Sequence, residues 1–203
     1  MKIFLFDFDG VIIDTLPIAV EVYNQQMQAH GIQYQFTPQS FAELFLNNFH
    51  KGLSAAIPDE TIREKILKEK NAEYERRKDD FRIFDGIKDT LDQLAKGGKM
   101  IIISSNGTQF INALLNSRGI NYFDEVLGGD IEKSKVKKIN WQKEKYPDAD
   151  IYYIGDTTGD VKESIETQVK AVAVSWGFHS RKELEKETPD YIFDTPSELL
   201  QLL

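Results

Sequence analysis

The chain has 203 residues, of which 41% are hydrophobic and 29% charged, as in a globular protein with one domain or one domain carrying a modest insertion. Its net charge of −8 argues against broad contact with nucleic acid or an anionic membrane. The absence of cysteine excludes disulfides and thiol chemistry, and no apolar run approaches the roughly 18 residues that span a bilayer. Met1 and Lys2 lead directly into an apolar run, which predicts a cytoplasmic protein without a secretory signal.

The first apolar run, Ile3–Phe6, has the length and composition of a strand buried on both faces. Asp7 and Asp9 follow it, and Gly10 allows the backbone to turn, so both carboxylates can reach one small volume. Two such carboxylates cannot both stay ionised cheaply without a cation or a shared proton. The pattern indicates either an Asp-Gly turn or a Mg²⁺ site with a nucleophile and an acid/base. Apolar sequence resumes at Val11–Ile13, which favours the second interpretation.

Residues 16–84 show helical patterns and no convincing strand. Apolar residues at helical spacing predict three helices, from Leu16 to about His30, from Pro38 to about Asn48, and from Pro58 to about Lys78. After Asp85 and Gly86 the pattern changes to alternating helices and strands. The strands are predicted at residues 100–103, 125–127, 151–154, 171–174 and 191–193, and the helices at about 87–96, 110–115, 136–145, 161–168, 181–186 and from 196 onward.

This alternation predicts an α/β fold with a doubly wound parallel sheet that helices cover on both faces. Functional sites of such sheets lie at the carboxyl ends of the strands. The helical block interrupts the alternation directly after the first strand. We therefore expect a core domain of residues 1–15 and 85–203 and an inserted helical cap domain of residues 16–84.

Three further polar motifs lie at predicted junctions of strands and helices. Ser104–Asn106 follow a buried strand, where a hydroxyl and free N–H groups bind phosphate oxygens or cap a helix. Glu132–Lys138 contains four lysines, most of which we expect on a solvated helix face. Asp156 also follows a strand and Asp160 lies four residues further on, which suits either a metal site or a capped turn.

In this order, the motifs resemble those of the haloacid dehalogenase superfamily. Asp7-Phe8-Asp9-Gly10-Val11 matches the first motif, DxDG(T/V), the strand ending in Ser104 the second, and Gly155-Asp156 with Asp160 the GDxxxD form of the fourth. The resemblance covers the core from residue 1 to about 180, whereas residues 16–84 match only in position and helical character. In this superfamily a helical cap closes over the active site and chooses the substrate, and members with both aspartates in the first motif are mostly phosphatases and phosphomutases.

The resemblance implies that Asp7 is the nucleophile, which forms an aspartyl phosphate, and that Asp9 is the general acid/base. It implies a Mg²⁺ ion held by the Asp7 carboxylate, the Asp9 main-chain carbonyl and Asp156, with Asp160 in a supporting role.

The resemblance places Ser104 on the phosphate, helped by Ser105 and Asn106. It also implies a lysine that pairs with the phosphoryl group and the nucleophile. Lys133 is the first choice, because Val136 follows it where a helix would turn inward, and Lys135 is the alternative. Most members have proline after this lysine, whereas Ser134 follows Lys133 here.

These assignments predict a Mg²⁺-dependent phosphatase that acts on a small phosphorylated metabolite, as a monomer or homodimer, without nucleic acid or membrane partners. Asp14–Pro17 resembles the phosphoglycolate phosphatase-like branch, which puts that substrate first. A β-phosphoglucomutase-like phosphomutase shares the core residues and stays open, whereas Asp9 disfavours a dehalogenase and the inserted block disfavours a receiver domain. The cap residues that either face the site or lie on an exposed helix end are Asn47, Asn48, His50 and Lys51.

Overall fold

The computed structural model describes residues 1–46 and 48–203. Six strands form a parallel sheet in the order β5-β4-β1-β6-β7-β8, and two short strands, β2 and β3, pair separately. The strands are β1 (Lys2–Phe6), β2 (Ile13–Asp14), β3 (Arg82–Ile83), β4 (Gly98–Ile103), β5 (Glu125–Leu127), β6 (Asp150–Gly155), β7 (Lys170–Val174) and β8 (Tyr191–Phe193). The predicted α/β fold is confirmed, with the first strand of the chain in the interior of the sheet between β4 and β6.

Strand β1 is buried on both faces, as its continuous apolar sequence predicts. Phe4 and Phe6 pack into one hydrophobic cluster, whereas Ile3 and Leu5 pack into a second cluster on the opposite face. All four side chains are fully buried. Because alternate strand residues point to opposite faces, a strand covered on both sides needs apolar residues at every position.

Between β2 and β3 the chain is helical, with α1 (Leu16–Ala29), α2 (Pro38–Ala42), α3 (Phe49–Ala56) and α4 (Glu60–Arg76). The helix predicted from Pro38 to Asn48 is shorter than expected, because α2 gives way to a 3₁₀ turn at Glu43–Phe45. A separate helix, α3, then begins after Asn48, whose side chain accepts a hydrogen bond of 3.1 Å from the His50 N–H. This N-cap satisfies a free donor of the first turn.

Strands β2 and β3 form an antiparallel pair that the sequence did not predict. Ile13 pairs with Ile83, and Asp14 pairs with Arg82, so the two connections between the helical insert and the sheet lie side by side. The expectation of no strand between residues 16 and 84 is therefore wrong at Arg82–Ile83. Two residues are too few to show a strand period, and their pairing depends on a partner about 70 residues earlier.

Helix α4 shows how the insert directs one polar residue inward. The Asp59 carboxylate caps the helix by accepting a hydrogen bond of 2.9 Å from the Ile62 N–H. The buried residues of the helix are Ile66, Lys70 and Tyr74, each one turn apart. Since residues four apart lie on one helix face, Lys70 belongs to the stripe that packs inward.

The remaining helices alternate with the strands of the sheet. They are α5 (Ile87–Leu94), α6 (Thr108–Ser117), α7 (Lys135–Lys145), α8 (Thr158–Thr167) and α9 (Arg181–Leu184), and a 3₁₀ helix ends the chain at Pro196–Leu202. Within residues 1–46 and 48–203, no helix has both the length and the apolar composition needed to cross a membrane.

Candidate active site

Three of the predicted motifs meet at one edge of the sheet. Asp7 follows β1, Ser104 follows β4, and Asp156 follows β6. These strands are neighbours and run parallel, so their carboxyl ends lie together. The arrangement therefore brings into one site motifs that are far apart in sequence, with Asp7 and Asp156 separated by 149 positions.

Gly10 gives the first motif its turn and leaves room for Asp156. Its φ of +73° lies in the left-handed region, and its N–H donates to the Ile13 carbonyl at 2.8 Å. A Cβ atom at Gly10 would lie 1.9 Å from Oδ2 of Asp156, and one at Gly177 would lie 2.3 Å from the same oxygen. Both glycines are therefore required, because the Asp156 carboxylate packs against their backbone.

The Asp156 carboxylate has one oxygen with a donor and one without. Oδ2 accepts a hydrogen bond of 2.7 Å from the Phe178 N–H. Oδ1 is buried, and no donor in the described part of the chain reaches it. Burial and the negative charges of Asp160 and Asp7 raise the pKa of Asp156 well above its ordinary value. An unpartnered buried carboxylate oxygen beside other acids fits a cation ligand.

Lys135 joins two of these acids. Its Nζ donates to Asp7 Oδ2 and to Asp160 Oδ1, both at 2.7 Å. Burial would lower the pKa of Lys135, but the carboxylates of Asp160 and Asp7 raise it well above its ordinary value. Burial also raises the pKa of Asp7 to about 7, against the opposing charge of Lys135. Asp7 therefore shares a desolvated site with a permanent cation.

This geometry favours Lys135, the alternative in the sequence prediction, over Lys133 as the lysine beside Asp7. The buried side chains of α7 are Lys135, Lys138, Ile139 and Gln142, which follow the helical period. Lys133 precedes the helix, whose N-cap is Ser134, and lines a surface groove together with Lys51 and Glu163. Ile139 lies on this buried face and Val136 does not, so Val136 does not mark the inward side of the helix as the sequence prediction assumed.

Asp160 supports the site through a full set of hydrogen bonds. Its Oδ1 accepts from Lys135 and from the Tyr153 hydroxyl, the latter at 2.8 Å. Its Oδ2 accepts from the Thr157 N–H at 3.1 Å and the Thr157 hydroxyl at 2.6 Å. Burial alone would raise the pKa of Asp160, but Lys135 and these donors hold it below its ordinary value. Asp160 is therefore an ionised partner of Lys135.

The donor set of this edge suits an oxygen-liganded cation. Asp7, Asp156 and Asp160 are all buried and offer oxygen atoms that lie within 4.8 Å of one another. Lys135 is the cation that contacts two of these three acids, which leaves an excess of buried negative charge. Hard divalent cations such as Mg²⁺ prefer this kind of ligand, and Asp156 Oδ1 offers a position for one.

The second motif supports both sides of the site. Ser104 is fully buried, and its Oγ accepts a hydrogen bond of 3.1 Å from the Asn106 N–H. The Asn106 side chain binds Asp9, because its Nδ2 donates to both carboxylate oxygens at 2.9 and 2.7 Å. Ser105 borders the spaces beside Asp7 and Asp9. The predicted phosphate-binding residues are thus brought to the site, with Asn106 holding Asp9.

Asp9 lies at the boundary between the acidic cluster and a cavity of about 240 Å³. Burial raises the pKa of Asp9, although the nearby charge of Lys70 opposes this effect. A raised pKa makes a carboxyl group better able to hold a proton and donate it. The position of Asp9 at the cavity and the upward shift of its pKa thus suit a general acid.

The loop after β7 also contributes to the site, although its residues were not predicted from the sequence. Its Phe178 supplies the N–H that binds Asp156, and the Nδ1 of His179 accepts from the Thr158 N–H at 2.9 Å. The Nε2 of His179 lies 2.9 Å from the Ala42 carbonyl, so this buried ring connects α8 to α2. The loop follows the carboxyl end of a parallel strand, and the same strand-end rule could have found it.

The polar residues of the helical insert that were predicted near the site lie in different environments. Asn47 lies outside the described residues. Asn48 caps α3, and Lys51 lines the surface groove. His50 borders both that groove and the cavity beside Asp9.

Known proteins resemble this chain in sequence. A family model described as haloacid dehalogenase-like hydrolase matches residues 4–174. A phosphoglycolate phosphatase from Synechococcus elongatus is 30% identical over 99% of this chain and 96% of its own length. One from Vibrio parahaemolyticus is 24% identical over 100% of this chain and 96% of its own length.

Solved structures agree in fold. A haloacid dehalogenase-like family hydrolase from Streptococcus pneumoniae superposes with a TM-score of 0.84 at 20% identity, covering 100% of this chain and 98% of that one. A hydrolase from Pseudomonas syringae gives a TM-score of 0.82 at 18% identity, covering 99% and 97%. The family match, which spans most of the chain and contains the acidic edge described above, shows that this protein belongs to the haloacid dehalogenase-like hydrolases.

Proposed function

We propose that the protein is a Mg²⁺-dependent phosphatase that hydrolyses a small phosphomonoester through an aspartyl phosphate on Asp7. The observation that carries this proposal is the contact of Lys135 with Asp7 at 2.7 Å, beside a buried Asp156 oxygen without a donor. Phosphoryl transfer depends mainly on positioning and on neutralised charge, and this edge of the sheet supplies a carboxylate, a cation and a ligand position for a second cation.

The proposed Mg²⁺ ligands are the Asp7 carboxylate, the Asp9 main-chain carbonyl and Asp156, with Asp160 supporting them through Lys135. When bound, the metal would offset negative charge on the transferred phosphoryl group. The proposed phosphate-binding groups of the chain are Ser104, Ser105 and Lys135, with Lys135 replacing Lys133.

In this mechanism the Asp7 carboxylate attacks phosphorus and the bond to the leaving oxygen breaks. Asp9 gives its proton to that oxygen, and Asn106 holds Asp9 in position through both carboxylate oxygens. Asp9 then accepts a proton from the water that hydrolyses the aspartyl phosphate. The pKa of Asp9, raised by burial, favours the protonated form that the first step needs.

The proposed substrate class is small phosphomonoesters, with phosphoglycolate first. Two relatives that this chain matches along its whole length are phosphoglycolate phosphatases. The cavity beside Asp9 is about 240 Å³, below the roughly 300–1,000 Å³ of pockets for drug-sized ligands, which favours a small leaving group. We also propose that residues 16–84 act as a cap, since α2, α3 and α4 contribute residues to this cavity.

The test uses Asp9→Asn, which keeps the main-chain carbonyl and the side-chain size but cannot transfer the proton. Hydrolysis of an alkyl phosphate should slow by the ~10²–10⁴ typical of general acid catalysis. p-Nitrophenyl phosphate has a good leaving group, so it should give a burst near one nitrophenolate per enzyme and then slow turnover.

Intact mass after a rapid acid quench should show a phosphoryl group on Asp9→Asn and none on Asp7→Asn. Wild-type rates on alkyl phosphates with Asp9→Asn would contradict the mechanism. If wild-type activity on p-nitrophenyl phosphate did not need Mg²⁺, the metal assignment would be wrong. If the wild type instead converted one sugar phosphate to another, and this reaction required glucose 1,6-bisphosphate, the protein would be a phosphomutase rather than a phosphatase.

A further inference from the structure

The cavity beside Asp9 contains a buried cation that the proposed chemistry does not use. Lys70 reaches it from the inner face of α4 and is 7% exposed. Its Nζ donates to Asn106 Oδ1 at 2.9 Å and lies 4.4 Å from the centre of the Tyr74 ring. A lysine is strongly hydrated and is rarely buried without a charged partner, so the position of Lys70 calls for an explanation.

The partners of Lys70 in the described chain do not neutralise its charge. Asn106 is a neutral amide, and Tyr74 offers only the face of its ring. Asp9 lies near enough for its charge to raise the pKa of Lys70, yet burial dominates and lowers that pKa to about 8. Lys70 is thus a desolvated ammonium with neutral direct contacts, which an anion placed in the cavity would stabilise.

Six aromatic rings line the same cavity, whose wall also carries the carboxylates of Asp9 and Asp130. Its rings are those of Tyr23, Phe41, Phe45, Phe49, Tyr74 and Phe178. In such surroundings a charged contact is much stronger than in water, because few solvent dipoles screen it. Among the described residues that line this cavity, Lys70 is the one permanently basic side chain, so it discriminates between ligands with an anionic group and ligands with a neutral one.

His50 provides a second polar group on the same wall. Its Nε2 is buried and has no hydrogen-bond partner in residues 1–46 and 48–203. Burial and the positive charges of Lys133 and Lys70 lower the pKa of His50, so its ring is neutral at pH 7. A buried nitrogen without a partner is costly, and a ligand oxygen in the cavity would satisfy it.

We propose that Lys70, assisted by His50, recognises a carboxylate on the leaving group and makes this site selective for small phosphomonoesters whose leaving group is anionic. This inference rests on the proposed phosphatase function and assigns the determinant of its substrate choice. One ammonium and one neutral imidazole match the single charge and two oxygens of a carboxylate. The phosphoryl end would lie at Asp7 and Lys135, on the other side of Asp9.

Lys70 also has a possible purely structural role, because it holds the Asn106 side chain that binds Asp9. Loss of that role would disturb proton transfer for every substrate alike. Loss of carboxylate recognition would affect only substrates that carry the charge. The two roles are therefore separated by comparing two phosphomonoesters of similar size, one with an anionic leaving group and one with a neutral leaving group.

The experiment measures kcat/KM for 2-phosphoglycolate and for 2-hydroxyethyl phosphate, which is of similar size but has a neutral leaving group. p-Nitrophenyl phosphate serves as a general substrate. The wild type should favour phosphoglycolate by at least tenfold. Lys70→Met should reduce this preference about ten- to hundredfold, as expected for losing a hydrogen bond between charged groups. Lys70→Arg should retain part of it.

Lys68→Met is the matched control, because Lys68 is exposed on the same helix. It should keep the wild-type preference. His50→Asn should reduce the preference for phosphoglycolate mainly through KM, and it tests the proposal independently if Lys70→Met does not fold.

Three outcomes would overturn the inference. The first is equal kcat/KM values of the wild type for phosphoglycolate and 2-hydroxyethyl phosphate, which would show that the site is not selective. The second is an equal loss of kcat/KM on both substrates in Lys70→Met, which would show that Lys70 only positions Asn106. The third is a higher kcat/KM for a substrate with a second phosphate group than for phosphoglycolate, which would show that the cavity recognises a phosphate and not a carboxylate. In these cases hydrolysis of p-nitrophenyl phosphate continues, whereas its absence in the wild type would instead refute the phosphatase function itself.

Discussion

Lys138→Met should remove a pH-dependent part of the stability of this protein. Lys138 is fully buried, and its Nζ donates to the main-chain carbonyls of Ser104 at 2.7 Å, Leu127 at 3.3 Å and Gly128 at 3.3 Å. It therefore joins the ends of β4 and β5 directly behind the second motif. The ammonium has no carboxylate among these three partners, so the cost of its desolvation is not offset by an ion pair.

The magnitude follows from the pKa of Lys138. Burial and the nearby charge of Lys135 lower that pKa from 10.5 to about 8. Below pH 8, Lys138 is protonated in both the folded and the unfolded chain, so its contribution is constant. Between pH 8 and 10.5 the unfolded chain binds the extra proton, so the free energy of unfolding rises with pH. The difference between the two pKa values corresponds to about 3 kcal/mol across this window.

The assay is urea unfolding of the wild type, Lys138→Met and Lys137→Met at pH 7.5, 9 and 10.5. The free energy of unfolding of the wild type minus that of Lys138→Met should increase by about 3 kcal/mol from the lowest to the highest pH. Lys137 is exposed, and its contact is a surface ion pair with Glu132, so the Lys137→Met difference should be nearly constant.

A difference between wild type and Lys138→Met that stays the same at all three pH values would refute the reasoning. It would mean that Lys138 titrates alike in the folded and unfolded chain. A difference that falls as pH rises would show a folded-state pKa above the ordinary value, and hence a carboxylate partner for Lys138.

Two further predictions concern the acidic edge of the site. Asp156→Ala should raise the Mg²⁺ concentration for half-maximal phosphatase activity by more than tenfold, because the proposed ligand with the unpartnered oxygen is lost; an unchanged Mg²⁺ titration curve would count against that role. Lys135→Met should lower kcat for p-nitrophenyl phosphate by about 10²–10³, in the range found when one group that stabilises developing charge is removed. Lys133→Met should change kcat by less than about threefold, and the reverse ranking of the two lysines would restore the first assignment.

Several properties of this protein follow from short stretches of its sequence. The apolar run Ile3–Phe6 predicted a strand buried on both faces, because such a strand requires apolar residues at every position. The alternation of helix and strand periods predicted the sheet, and the strand-end rule predicted that Asp7, Ser104 and Asp156 would lie together. The single-turn 3₁₀ segment Glu43–Phe45 and the two-residue strand Arg82–Ile83 escaped prediction because each is too short to repeat the pattern that would identify it.

The distant partners of the polar side chains were decided only by the tertiary structure. Four lysines in Glu132–Lys138 have the same chemistry, and the phase of α7 on the sheet selects Lys135 for Asp7, a residue 128 positions away. The same dependence explains why Asn106 binds Asp9 and why Lys70 lies in the cavity beside Asp9. Local sequence determines which residues can form a strand end or a helix face, because those properties depend on neighbours a few positions apart. The pairing of charged side chains from distant parts of the chain is set by how the helices and strands pack together. A local sequence pattern contains no information about that packing.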